Sequence, residues 1–281
     1  MSGDALTDRT ADTEGPKKSP ESILRDEIRE SRGVLDRGPR RLFLSGLSAG
    51  LDIGFSLFLI ALVRTQLDGS VHRVVSEMLL ASMYAVGFVF VVVGRSELFT
   101  EQTTLAVLPV LNGKASIGDL VRVWGVIYVS NLVGAAIFAL MAVLSGPALG
   151  IIDRRVFGEI ASSLTNHPGW VMLLSGLLAG WLMGLLSWLI AASRDTISQV
   201  VLTALIASVI GYAHLHHVVV GSVEVLAGVF SGAGVSLGDY GHFLVWTTLG
   251  NALGGPLFVA IIKYGHASED ERATPYPADS Y

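Results

Sequence analysis

Residues 210–225 read IGYAHLHHVVVGSVEV, an apolar run that carries His214, His216, His217 and Glu224. An unperturbed imidazole titrates near ~6.5, so a histidine there can exchange a proton or donate a hydrogen bond to an anion. A bare charge at mid-membrane costs upward of ~2.5–3.5 kcal/mol, and neutralising it lowers that barrier. A second polar cluster, GRSELFTEQT at 94–103, holds Arg95, Glu97 and Glu101. Together with Glu224, these charges fit two roles: an ion-pair network stapling chain ends, or a charged vestibule that selects among solutes. His214 and His216 fit a vestibule or a subunit contact. No Asp or second His cluster at helical spacing completes a metal set around them, so neither metal nor cofactor is expected. Asp52 also needs a partner, for which Arg95 is a candidate.

The elements that must position these groups are membrane segments. The chain has 281 residues, 51% hydrophobic and only 15% charged, where a water-soluble domain carries about 25% charge. Residues 1–41 hold nine of the 24 acidic and nine of the 19 basic side chains, a polar and nearly neutral tail. Within it, 21–36 spaces Ile23, Leu24, Ile28, Val34 and Leu35 on one helical face, which fits an interfacial amphipathic helix or a solvated one. No basic stretch leads into a short apolar region at the N-terminus, so a cleaved signal peptide is not expected. The net charge of −5 does not point to nucleic acid, and no phosphate loop, H-E-x-x-H or G-x-S-x-G motif points to an enzyme.

Four apolar stretches have ordinary span length: 42–63, 124–145, 170–192 and 243–262. Two others, 77–111 and 197–230, are too long for one straight helix and too short for two helices with a turn. Each has polar and glycine residues at its centre. The expectation is six segments, with the second and fifth broken, and Gly94, Gly211 and Gly221 supplying the backbone freedom. Arg37, Arg40, Arg41, Lys114, Arg122, Arg194 and Lys263 then share one side, placing both termini in the cytoplasm. The domain division is a tail at 1–41, a channel domain at 42–265 and a second tail at 266–281.

An internal repeat supports this division. SGLSAGLDIGFSLFLIA (45–61) matches SGLLAGWLMGLLSWLIA (175–191), and NLVGAAIF (131–138) matches NALGGPLF (251–258). Between them a G-x-x-E pairs Gly94–Glu97 with Gly221–Glu224, giving offsets of 130, 127 and 120 in consistent order. Each half holds three crossings, so the halves insert with opposite orientation, and paired broken helices then enclose a central permeation site. Non-helical backbone persists at that depth only where protein or water covers it. The glycines recurring every fourth residue from Gly46 to Gly54 and Gly176 to Gly184 fit close helix packing.

ELFT at the second segment's break, the histidine at the fifth segment's break, WGVIYVSNLVGA and GNALGG resemble the formate/nitrite transporter family over about 42–265. The resemblance implies an all-α, aquaporin-like subunit in a homopentamer in a bacterial inner membrane, each subunit with its own pore for small monovalent anions of weak acids. It makes His217 the pore histidine and Leu98, Phe99 and Thr100 the narrowing loop. It places Phe88 at a cytoplasm-side apolar constriction and Ile210 at the opposite one. Several positions depart from the family pattern. His216 replaces a glutamate and Gly221 an asparagine; no lysine stands near Leu164–His167, and Glu101-Gln102 follows ELFT. Arg95 and Glu224 are additions. These departures leave open a pore for cations or neutral solutes, and a non-transporting scaffold is a further alternative.

Overall fold

The structure, a computed structural model, describes residues 17–67 and 71–257; the tail 266–281, Lys263, Phe258 and the end of the sixth segment lie outside them. Every element among the described residues is a helix. The tail helix is α1 (Pro20–Leu35), and the first segment is α2 (Pro39–Asp52) with α3 (Gly54–Gln66), joined through Ile53. The second segment is α4 (Arg73–Gly94), α5 (Phe99–Leu105) and α6 (Val107–Leu111), and the third is α7 (Ile117–Ala148). After α8 (Arg154–Thr165) come α9 (Gly169–Ala192), the broken pair α10 (Thr196–Tyr212) and α11 (Val218–Ser231), and α12 (Leu237–Gly255). Four stretches, 39–66, 73–94, 117–148 and 169–192, are long and apolar enough to cross a membrane, with α10 and α11 shorter but apolar. Large apolar side chains such as Leu140, Leu144, Leu174, Val201, Leu205 and Leu249 stand exposed on the outside of these helices. Such a surface suits lipid, and the protein is an integral membrane protein.

The two halves repeat each other. α7 and α12 start from the same capping box, Ser116 with Asp119 and Ser236 with Asp239, in which side chain and backbone satisfy each other's orphan donors. α2 packs on α7 as α9 packs on α12, and α4 crosses α10. Close approach is what the glycine rows permit. A Cβ on Gly50 would lie 2.3 Å from the Asn131 carbonyl oxygen, and one on Gly180 2.5 Å from that of Asn251. Gly50→Ala and Gly180→Ala are each expected to cost about 1–3 kcal/mol, since backbone on the facing helix must move. Thermal melts of the detergent-solubilised variants against the parent check this, and unchanged midpoints would contradict the packing.

The amphipathic tail helix turns its apolar face onto protein and leaves its polar face exposed. Its apolar face, Ile23, Leu24 and Ile28, packs with Leu105, Leu108 and Trp188, so burial against α5, α6 and α9 holds α1 over one end of the subunit. α8, unforeseen as a helix, takes the matching place at the other end by packing on α11.

Spans two and five are broken as expected, but by other residues. The left-handed turns fall on Arg95 (φ 55°) and His214 (φ 50°), 119 residues apart, not on glycine. Gly211 and Gly221 lie in helices, where a Cβ would meet Tyr84 at 2.8 Å and Phe243 at 2.4 Å; their role is close contact. Repeat register changes accordingly. Asn131 Nδ2 donates to the carbonyls of Gly46 (2.8 Å) and Glu97 (3.0 Å), and its Oδ1 accepts from Phe99 N–H (2.8 Å). Asn251 does the same for Gly176 (2.8 Å), His216 (2.9 Å) and Val218 N–H (2.8 Å). Glu97 therefore corresponds to His216 and Leu98 to His217. The match of Glu97 with Glu224 was eight residues out; Glu224 lies inside α11, and its counterpart is Leu105.

Candidate functional site

The two breaks bring Thr100 and His217 together. His217 caps α11, its Nδ1 accepting from Val220 N–H at 3.3 Å. With that lone pair engaged, the ring proton belongs on Nε2, which donates to Thr100 Oγ1 at 2.8 Å. The Phe88 ring meets the imidazole edge-on at 5.1 Å, and Tyr84, one turn earlier on α4, lies 5.4 Å from Phe88. His217 is 1% exposed, and Phe88, Thr100 and Leu98 are as deeply buried, so this layer is closed.

A cavity approaches the layer from each end. The α1-side cavity, about 270 Å³, is lined by Glu27, Arg37, Arg95, Glu97 and Glu101 among others. The α8-side cavity, about 60 Å³, is lined by Tyr84, Ile210, His214, Glu224 and Ser163 among others. Neither is lined by Thr100, His217 or Phe88, which stand between them.

Ile210 thus lies at the α8-side cavity, where Tyr84 joins it; sequence reasoning missed Tyr84, although it shares a helical face with Phe88. Phe88 does not wall the α1-side cavity. Val91 and Val92 do, and Phe88 packs on the histidine itself. Leu98 caps α5 from within the core. Phe99 turns toward α7, ring to ring with Tyr128 (4.8 Å) and Trp124 (6.1 Å), and lines neither cavity.

Of the two roles open to Arg95, Glu97, Glu101 and Glu224, the ion-pair network is not seen: no ion pair joins them to one another among the described residues. Glu97 pairs with Arg37 and accepts from Gln102 Nε2 at 2.6 Å. Arg122 Nη1 bonds the Arg37 carbonyl at 3.1 Å, fixing the backbone that carries the partner. Asp52 accepts from Ser48 Oγ (3.0 Å) and Ser96 Oγ (3.4 Å), not from Arg95. Among the described residues, Arg95, Glu101 and Glu224 enter no ion pair, and they face the cavities. His214 sits in the α8-side cavity with Nε2 3.3 Å from Glu77. His216 occupies no vestibule: it is buried, bonded through Nδ1 to Ser175 Oγ (2.9 Å) and through Nε2 to the Leu164 carbonyl (3.0 Å). The three imidazoles therefore serve different partners and do not converge.

Glu27, another residue missed in the sequence, is buried under α1 with both carboxyl oxygens unpartnered among the described residues. Burial, with Glu30 beside it, pushes its carboxyl up to about 8 from an ordinary 4.5. The docked helix thus binds a proton that a released helix gives up. Docking is strongest below the released value and weakens as pH rises through about 8. Amide exchange of α1 is expected to accelerate between about pH 5 and 9 beyond the intrinsic rate, and Glu27→Gln should abolish the extra acceleration. A parent whose protection ignores pH would refute this.

Two inverted repeats, two broken helices that meet inside the subunit and a cavity on either side of the meeting point define a membrane channel or transporter architecture. The formate/nitrite transporter profile matches residues 22–265, and the chain belongs to that family. The inner membrane protein YfdC of Escherichia coli K12 is 31% identical over 240 residues, spanning 84% of this chain and 75% of its own. The nitrite transporter NirC of Salmonella typhimurium is 28% identical over 239 residues, 84% of this chain and 87% of its own. An FNT family ion channel superposes with a TM-score of 0.76 at 23% identity, covering 90% of this chain and 99% of that one. A pentameric formate channel with formate bound superposes at 0.66 and 24% identity, covering 81% and 97%. At these identities the superpositions establish the fold.

Proposed function

We propose that the chain forms a homopentameric channel in a bacterial inner membrane, passing small monovalent anions or their conjugate weak acids through each subunit at His217. Each subunit crosses six times as two inverted repeats. Its pore domain is 42–265, and the tails 1–41 and 266–281 are cytoplasmic. The reading rests on one observation above all: the Nε2–H of His217 points at a single hydroxyl, Thr100, in a closed layer between two cavities. A small anion that displaced Thr100 would meet that donor. The orientation follows Arg37, Arg40, Arg41, Arg122 and Arg194, so the α1 side faces the cytoplasm. The chain is a conduit and not a catalyst, as its transporter and channel relatives suggest.

Proteoliposomes are the test. Formate and nitrite should enter faster than into empty liposomes, with anion-signed reversal potentials in a salt gradient and five subunits on cross-linking. Leak no faster than in empty liposomes would leave a scaffold as the better account. A second reading has its own support: Glu101 and Glu224 put an unpaired carboxyl into each cavity, which favours neutral or cationic solutes. Cation-signed reversal potentials would select it.

A further inference from the structure

The α8-side cavity holds one charged side chain with nothing to neutralise it. Glu224 is 6% exposed, lines the cavity, and has no hydrogen-bond or ion-pair partner among the described residues. The other charged groups there are engaged: His214 with Glu77 at 3.3 Å, and Arg64 with Glu159 of α8 at 3.4 Å. Two further titratable groups face α11. Tyr84 lines the cavity from α4, and Tyr240 of α12 donates to Ser222 Oγ at 3.3 Å. On α7, Tyr128 bonds Thr248 Oγ1 at 2.8 Å, and no titratable residue follows it along that helix. Glu224 also shares a helical face with the pore histidine. Seven residues are two turns, so it stands about 10 Å beyond His217 on the same stripe of α11.

We propose that Glu224 is the proton-exchange group and specificity filter of the α8-side cavity, selecting anions of weak acids over anions of strong acids. The inference rests on the channel reading above and assigns its outer selectivity to this residue. The protonated carboxyl gives its proton to an entering formate: the Glu224 O–H bond breaks, the acid's O–H bond forms, and neutral formic acid moves on toward Phe88 and His217. The carboxylate left behind takes a proton from water at the cavity mouth. An anion such as nitrate cannot accept that proton, so it must pass as a bare charge. A carboxyl held ionised by a cation would have no proton to give, which is why the lack of a partner matters.

Formate and nitrate uptake into proteoliposomes of the full chain, across pH, tests this with Glu224→Gln and Glu224→Asp. The amide keeps the shape and loses both proton and charge. Its formate-to-nitrate ratio should fall about seventyfold, the low end of the cost of a charge at such depth, and its formate pH profile should lose a limb. The aspartate variant should keep the ratio. A Glu224→Gln ratio and profile equal to the parent's would overturn the proposal. A measurement on the parent alone guards against misassembly: a lumenal pH dye should report one proton entering with each formate and none with nitrate. Formate entry without a proton also overturns it. A parent that passes neither anion sinks the channel reading instead, a distinguishable result.

Discussion

Asn131→Ala and Asn251→Ala are each expected to abolish the assembled, monodisperse protein. Each asparagine ties one break to a neighbouring helix by three bonds: its Nδ2 donates to a carbonyl inside that helix and to a carbonyl in the break, and its Oδ1 accepts the first N–H of the half-helix that follows. Both side chains are fully buried, so water cannot replace the lost partners. At about 1–3 kcal/mol per buried group left unpaired, the break carbonyl and N–H alone cost roughly 2–6 kcal/mol, a large share of the whole stability of many domains. Asn→Asp is the sharper test because it preserves volume. It turns the donor that faces two carbonyls into an acceptor, and should fail as badly as alanine. Ser130→Ala, next along the helix, removes only a hydroxyl bonded to its own turn at the Ile127 carbonyl and should assemble normally. Size-exclusion profiles and thermal melts of the four variants decide the matter. An Asn131→Asp protein that melts with the parent would show that the break is held by something else.

The architecture was legible because it follows from length and period. A stretch too long for one span and polar at its centre must be broken, and the NLVG and NALG motifs carried the pseudo-symmetry in plain view. Those asparagines alone gave the right register, since the breaks are offset by almost the same distance as they are. The Gly-x-x-E pair misled because it matched residue identities without a shared job: Gly94 ends a helix, while Gly221 makes room for Phe243. Nothing in the sequence marks Arg95 and His214 as the residues in left-handed conformation. Both residues pay a steric penalty there, in local helix ends closed by Ser96 N–H on the Val91 carbonyl and Leu215 N–H on the Ile210 carbonyl, a geometry usually taken by glycine. Phe99 shows a related limit. In a break the side-chain direction has no period, so its turn toward Tyr128 could not be read. The partners of Glu97 and Asp52 were hidden for another reason: Arg37, Ser48 and Ser96 reach them through folding, not through spacing.

His217→Ala should have the largest effect on transport, and its two causes can be separated. The imidazole caps α11 through Nδ1 and offers a proton through Nε2. Alanine removes both, so part of any loss is a weakened helix start, about 0.5–2 kcal/mol. His217→Asn keeps a good capping oxygen and loses the titrating ring. It should assemble like the parent, while formate flux loses the imidazole's part of its pH response and falls by about seventyfold to four-hundredfold, since ~2.5–3.5 kcal/mol of charge cost returns to the barrier. Thr100→Val acts in the opposite sense. The hydroxyl now competes with the permeant for the Nε2–H, and removing it leaves that donor free for an anion without touching the cap. Half-saturation for formate should therefore drop in Thr100→Val, and the effect should vanish in the Thr100→Val, His217→Asn double variant, because the competed donor is gone. Additive effects in that double-mutant cycle would mean that Thr100 and His217 do not act on the permeant as a pair.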